Sequence, residues 1–144
     1  MATATQDRDQ ATGSRVRRAA RTGYRWLLLV FLVAVAVQIF LAGLGVFSLD
    51  NGDRAGRDHA FGAHQGLGFA LAGASILLLV LAIAARPGRL APWLAGALAV
   101  QTCLLQSLLD GLADGTAAFG GLHALDGLLI AASAGVQYAL VRRR

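Results

Sequence analysis

Lysine and glutamate are absent from this chain: its thirteen basic residues are all Arg and its eight acidic residues all Asp. Any carboxylate chemistry therefore falls on Asp. The single cysteine, Cys103, excludes an intrachain disulfide and a multi-cysteine zinc site, and reads as a small buried hydrophobe. Charge is scarce too, 15% of residues where a soluble domain carries about 25%. No G-x-x-x-x-G-K-[ST], no H-E-x-x-H and no nucleophile elbow occurs, so hydrolase and nucleotide chemistry have no carrier and no catalytic residue emerges. The Arg, Ala, Gly and Leu bias without Lys looks like the codon usage of a high-GC bacterium of actinobacterial type.

What the chain does have is apolar length. Hydrophobic residues make up 56%, gathered into four runs at about 26–47, 65–85, 90–109 and 123–141. At 1.5 Å per residue the first covers roughly 33 Å, enough for a hydrocarbon core of ~30 Å. It is longer than the apolar part of a signal peptide, about 7–15 residues, and is expected to be retained. Residues 1–25 are polar and basic, and are expected to form a largely disordered cytoplasmic tail whose end continues as helix into the membrane. The cluster Arg15, Arg17, Arg18, Arg21 and Arg25 beside a span reads as an anchor on anionic lipid, not as a nucleic-acid site. The connections are a polar Gly-rich stretch at 48–63, a tight Arg86-Pro87-Gly88-Arg89 turn and a Gly- and Asp-containing stretch at 110–122.

Orientation follows from Arg. With the N-terminus inside, eleven of the thirteen Arg face the cytoplasm and only Arg54 and Arg57 face out, so the positive-inside rule places both termini in the cytoplasm. The expected fold is all-α: a multi-pass, up-down-up-down four-helix bundle over 26–144 in the cell (plasma) membrane. Gly43, Gly45, Gly66, Gly68, Gly73, Gly127 and Gly135 would line its seams.

One constellation suggests chemistry. His64 opens the second run and His123 the fourth, so both lie at the outer interface, on helices that face across the diagonal of a square bundle. Two opposed imidazoles at one depth suit the two axial positions of a b-type haem. Gly66, Gly68 and Gly127 would give clearance to a porphyrin. Asp126, three residues after His123, shares its helix face and is placed to hydrogen-bond a nearby ring. Against this stands an interfacial role for the histidines and a wetted position for Asp126. His59, in the polar connection, reads as solvated. Gln38, Gln101, Gln106 and Gln137 read as interhelical hydrogen-bond donors and acceptors.

The run Ile39–Phe47, then Ala63-His64-Gln65-Gly66-Leu67-Gly68 and Leu122-His123-Ala124-Leu125-Asp126-Gly127, resembles a functionally uncharacterised family of small four-helix membrane proteins frequent in actinobacteria. The likeness covers nearly everything after the basic tail and implies no activity. More remotely, the layout resembles one four-helix half of haem A synthase, which implies His64 and His123 as haem ligands. The chain departs from that pattern: Gln65 stands where Arg commonly follows the first histidine, the outer-loop Glu has no counterpart, and the loop cysteine pair is missing. The expectation is thus a non-catalytic membrane subunit or scaffold, bound to lipid and to a membrane-protein partner or a second copy; the alternative is a bis-histidine haem protein for electron transfer or redox sensing.

Overall fold

The computed structural model describes residues 2–113 and 115–143, with side chains from residue 12 onward. Helix α1 runs Ala2–Asp50, α2 Arg54–Ala85, α3 Ala91–Val100 and α4 Gln106–Ala113, the last two joined without a break by a π-helical turn at Gln101–Leu105; α5 runs Ala117–Arg142. Four segments, 12–50, 54–85, 91–113 and 117–142, are long and apolar enough to cross a bilayer.

The helices are longer than the apolar runs. The basic segment expected to be disordered is helical from Ala2; Arg and Ala are strong helix formers, and turns that extend an existing span avoid a nucleation cost. The connections expected over 48–63 and 110–122 are mostly helix, since α2 begins at Arg54 and α5 at Ala117. At the first of them Gly52 takes φ +74°, a left-handed conformation that glycine adopts freely. Asp53 then caps α2, its carboxylate accepting from the Gly56 N–H at 2.9 Å. Polarity made these residues look like loop; they are helix outside the apolar zone.

Each helix buries a narrow stripe. Tyr24, Leu28, Phe31 and Val35 on α1, and Leu71, Ser75, Leu78, Ala82 and Ala85 on α2, alternate spacings of four and three; Ala91, Ala95, Leu98 and Thr102 do so on the third segment. That repeat is the coiled-coil seam, which gives shallow crossing angles and side chains interlocked along the axis. α1 packs against α2 and α5, and the α3–α4 segment against α2 and α5. Among the described residues α2 and α5 bring no Cα atoms within 8 Å of one another, and neither do α1 and α3–α4. These pairs are the diagonals of a square.

The outer faces stay apolar: Trp26, Phe40, Phe69 and Trp93 are 62–79% exposed. A continuous surface of that kind is stable against lipid tails and not against water.

Polar seams join the helices. The Tyr24 hydroxyl donates to Gln137 Oε1 at 2.8 Å, and Gln137 Nε2 donates to the Leu94 carbonyl at 3.3 Å, tying α1, α5 and α3 together. Thr102 Oγ1 donates to Ser75 Oγ at 2.6 Å between α3–α4 and α2. Cys103 lies beside this contact, its Sγ 3.6 Å from the Ala72 carbonyl. Tyr24→Phe leaves Gln137 Oε1 without its donor; from interhelical hydrogen bonds in bilayers the expected loss is about 0.6–1.7 kcal/mol, measurable by SDS titration of the reconstituted protein.

Candidate functional site: two histidines across the bundle

Each histidine is held by a glutamine of the neighbouring helix in the same reciprocal way. Gln38 Nε2 on α1 donates to the His64 carbonyl at 2.8 Å, and the His64 ring presents Nδ1 to the Gln38 carbonyl at 3.1 Å. Gln106 Nε2 on α4 donates to the His123 carbonyl at 3.0 Å, and His123 Nδ1 lies 3.4 Å from the Gln106 carbonyl. A carbonyl only accepts, so each Nδ1 carries a proton, and in the neutral ring that tautomer leaves the lone pair on Nε2. Neither Nε2 makes a hydrogen bond among the described residues.

The two clasps hold the rings close to each other. His64 and His123 have centroids 6.1 Å apart and planes tilted by 52°, across a diagonal whose backbones do not touch. A metal-bound imidazole nitrogen stands about 2.0–2.1 Å from its ion, and with the centroid about 1.1 Å behind that nitrogen, two rings in line on one ion have centroids roughly 6.3 Å apart. The observed spacing matches a shared ion.

Asp126 lies one turn beyond His123 and is 3% exposed, so it is interior and not wetted. Its carboxylate bonds no ring. Oδ2 accepts from Gln106 Nε2 at 3.0 Å and Oδ1 lies 3.4 Å from Gln101 Nε2. Asp126 thus steadies the residue that holds His123. The π-helical turn makes this arrangement. Residues five apart in an α-helix point about 140° away from each other. Here the Gln106 N–H bonds the Gln101 carbonyl, five residues back, and the widened turn brings both amides to one side. Thr102, its Oγ1 3.0 Å from the Leu98 carbonyl, sits inside that turn.

The glycines serve different ends. A Cβ at Gly68 would meet Gln38 Nε2 at 3.3 Å, so this glycine admits the glutamine that clasps His64. Gly66 is exposed with nothing within 4 Å; Gly127, half-buried beside Asp126, also has nothing within 4 Å. At Gly45 a Cβ would stand 2.7 Å from the Phe61 ring, making it the closest α1–α2 approach of the glycines named here. His59 is exposed and bonds its own helix at the Ala55 carbonyl, 2.7 Å away. One buried acceptor beside the pair, Gln38 Oε1, has no partner.

Chemically, the pair offers two imidazole nitrogen donors, one from each ring. No third His, Cys, Asp or Glu joins them among the described residues. A bare zinc ion, which needs four donors, would find two. An iron that brings four equatorial nitrogens of its own needs only these two, so the donor set fits haem. Compared with known proteins, the chain matches no family model, no curated protein and no solved structure.

Proposed function

We propose that this multi-pass membrane protein binds one b-type haem between His64 and His123 and carries electrons or senses redox state. The two rings 6.1 Å apart, each with Nδ1 on a glutamine carbonyl, are the observation that supports the reading. Haem held by His64 and His123 would supply a one-electron couple. The protein's part is to orient. Gln38 and Gln106 fix the tautomers and Asp126 braces Gln106. On the Arg distribution both termini are cytoplasmic and the pair lies near the outer face of the cell membrane. Trp26 and Trp93, each close to an Arg-rich boundary, would anchor the inner interface.

The test is a dithionite-reduced minus oxidised absorption spectrum of detergent-purified protein made with added haem precursor. A Soret shift with a sharp α-band supports the reading; a featureless spectrum from folded, haem-supplied protein ends it. That second outcome favours a non-catalytic membrane subunit or scaffold. Gly62 and Gly66, one turn apart on α2 and both exposed with nothing within 4 Å, would then offer a partner helix or a second copy close backbone approach.

A further inference from the structure

At the Arg-rich end a groove runs between α1 and the end of α2, with Val16, Arg17, Ile83, Ala84 and Arg86 among its lining residues. Its chemistry is split. Val16 and Ile83 are 60% and 56% exposed, and Ile83 continues an exposed apolar track along α2 through Val80 and Ile76. Arg17 and Arg86 add a cationic part to the same lining, one from each helix.

Neither guanidinium has an acidic partner: the one ion pair among the described residues is Arg57–Asp58. The end of α2 does not need them either. Arg21, one turn after Arg17, already turns inward, its Nε donating to the Ala85 carbonyl at 3.1 Å and its Nη2 lying 3.4 Å from the Arg86 carbonyl. It satisfies the last carbonyls and offsets the negative end of the helix dipole. Arg86 also occupies a costly position. Its φ is +46°, at a helix end where glycine is the low-strain residue, and the following Pro87 disfavours the α region. The turn thus carries a cation where backbone energetics alone favour none.

Two free guanidiniums above an apolar track that faces lipid call for a molecule with one anionic head and a hydrocarbon tail. We propose that this groove holds one anionic phospholipid, its phosphate between Arg17 and Arg86 and an acyl chain along Val16, Ile83 and Val80. Guanidinium binds phosphate oxygens in pairs, which fixes the head. A choline lipid brings its own cation to the same rim and is disfavoured there. Arg15 and Arg18, which line a separate surface on α1 with Ser14, Ala19 and Thr22, lack any contribution from α2 and carry the same charge without the track.

That contrast makes the test. Delipidated full-length protein is titrated with phosphatidylglycerol or phosphatidylcholine and bound lipids are counted by native mass spectrometry. The expected result is one phosphatidylglycerol retained at least tenfold more tightly than phosphatidylcholine. R17Q/R86Q should lose that lipid and R15Q/R18Q, with equal loss of charge, should keep it. R86G guards against misfolding, since glycine suits the left-handed position: it should melt no lower than the parent and still bind phosphatidylglycerol more weakly. Equal loss in the two double variants, equal binding of the two lipids, or full retention in R17Q/R86Q would overturn the proposal. So would displacement of the lipid by millimolar glycerol phosphate, which would make the rim a site for free phosphate and the apolar track irrelevant.

Discussion

His64→Ala and His123→Ala are each expected to abolish the haem α-band while leaving the helical far-ultraviolet spectrum in place. The proposed site takes one nitrogen from each ring of the pair, so loss of either would remove a ligand that the other cannot replace. The bundle does not depend on them, because the buried core consists of Tyr24, Leu28, Phe31, Leu71, Leu78, Leu98 and their neighbours. Exogenous imidazole should restore a low-spin spectrum in either variant, the free base entering the space that the ring has left. Gln38→Leu and Gln106→Leu test the clasps: each removes the amide that bonds a histidine carbonyl while leaving the backbone acceptor for Nδ1. The band is expected to persist with weaker haem retention. Asp126→Asn acts one step further out. It keeps a side chain of similar shape but sets a donor where one of two acceptor oxygens met Gln101 or Gln106, so the brace loosens and haem retention is expected to weaken with the band still present. A spectrum unaltered by both histidine substitutions would remove His64 and His123 as ligands.

The second large effect concerns α1 and α2. Gly45→Leu is expected to destabilise the protein by about 1–3 kcal/mol, the usual cost of overpacking. The reason is that even a Cβ at Gly45 would stand 2.7–2.9 Å from three atoms of the Phe61 ring. Gly43→Leu, two residues away with nothing within 4 Å, should leave stability within about 0.5 kcal/mol. Phe61→Ala in the Gly45→Leu background should recover most of the loss, since the three atoms nearest that Cβ all belong to Phe61. SDS or thermal titrations of the four proteins give the comparison. If Gly43→Leu falls as far as Gly45→Leu, the cost is one of leucine in the helix and not of the Phe61 contact. In the scaffold reading, Gly43→Leu becomes informative for the opposite reason: it leaves the bundle intact and disrupts only what docks outside.

Much of this was legible in the sequence. Four helices able to span a membrane followed from apolar length, and the meeting of His64 with His123 from equal depth on diagonal helices. Helix ends were not legible at Arg54 and Ala117, because Asp, Arg and Gly mark loops and water-exposed helix turns alike. The four glutamines read correctly as interhelical links, yet their partners did not show. Gln101 and Gln106, five apart, belong to different faces of any α-helix, and nothing in Gln101-Thr102-Cys103-Leu104-Leu105 announces a wider turn. That hidden turn also changed the account of Asp126, for which spacing suggested a nearby ring or a wetted position and which the structure pairs with two amides. Of the glycines, only contact geometry separated Gly68, which makes room for Gln38, from Gly66, which faces outward.

The glutamine–histidine clasps have a consequence for biosynthesis. Each closes between helices that are consecutive in the chain, Gln38 with His64 and Gln106 with His123. The Tyr24–Gln137 and Ser75–Thr102 contacts instead join the first pair of helices to the second. A ribosome delivers the chain in that order. The first hairpin can lock as soon as α2 has entered the bilayer, before the second exists. Cut at the 86–89 turn and produced as two separate polypeptides, the halves should each insert as a closed hairpin and then find one another in the membrane. Only the assembled pair would bring both imidazoles together, so cofactor uptake would report the moment of assembly.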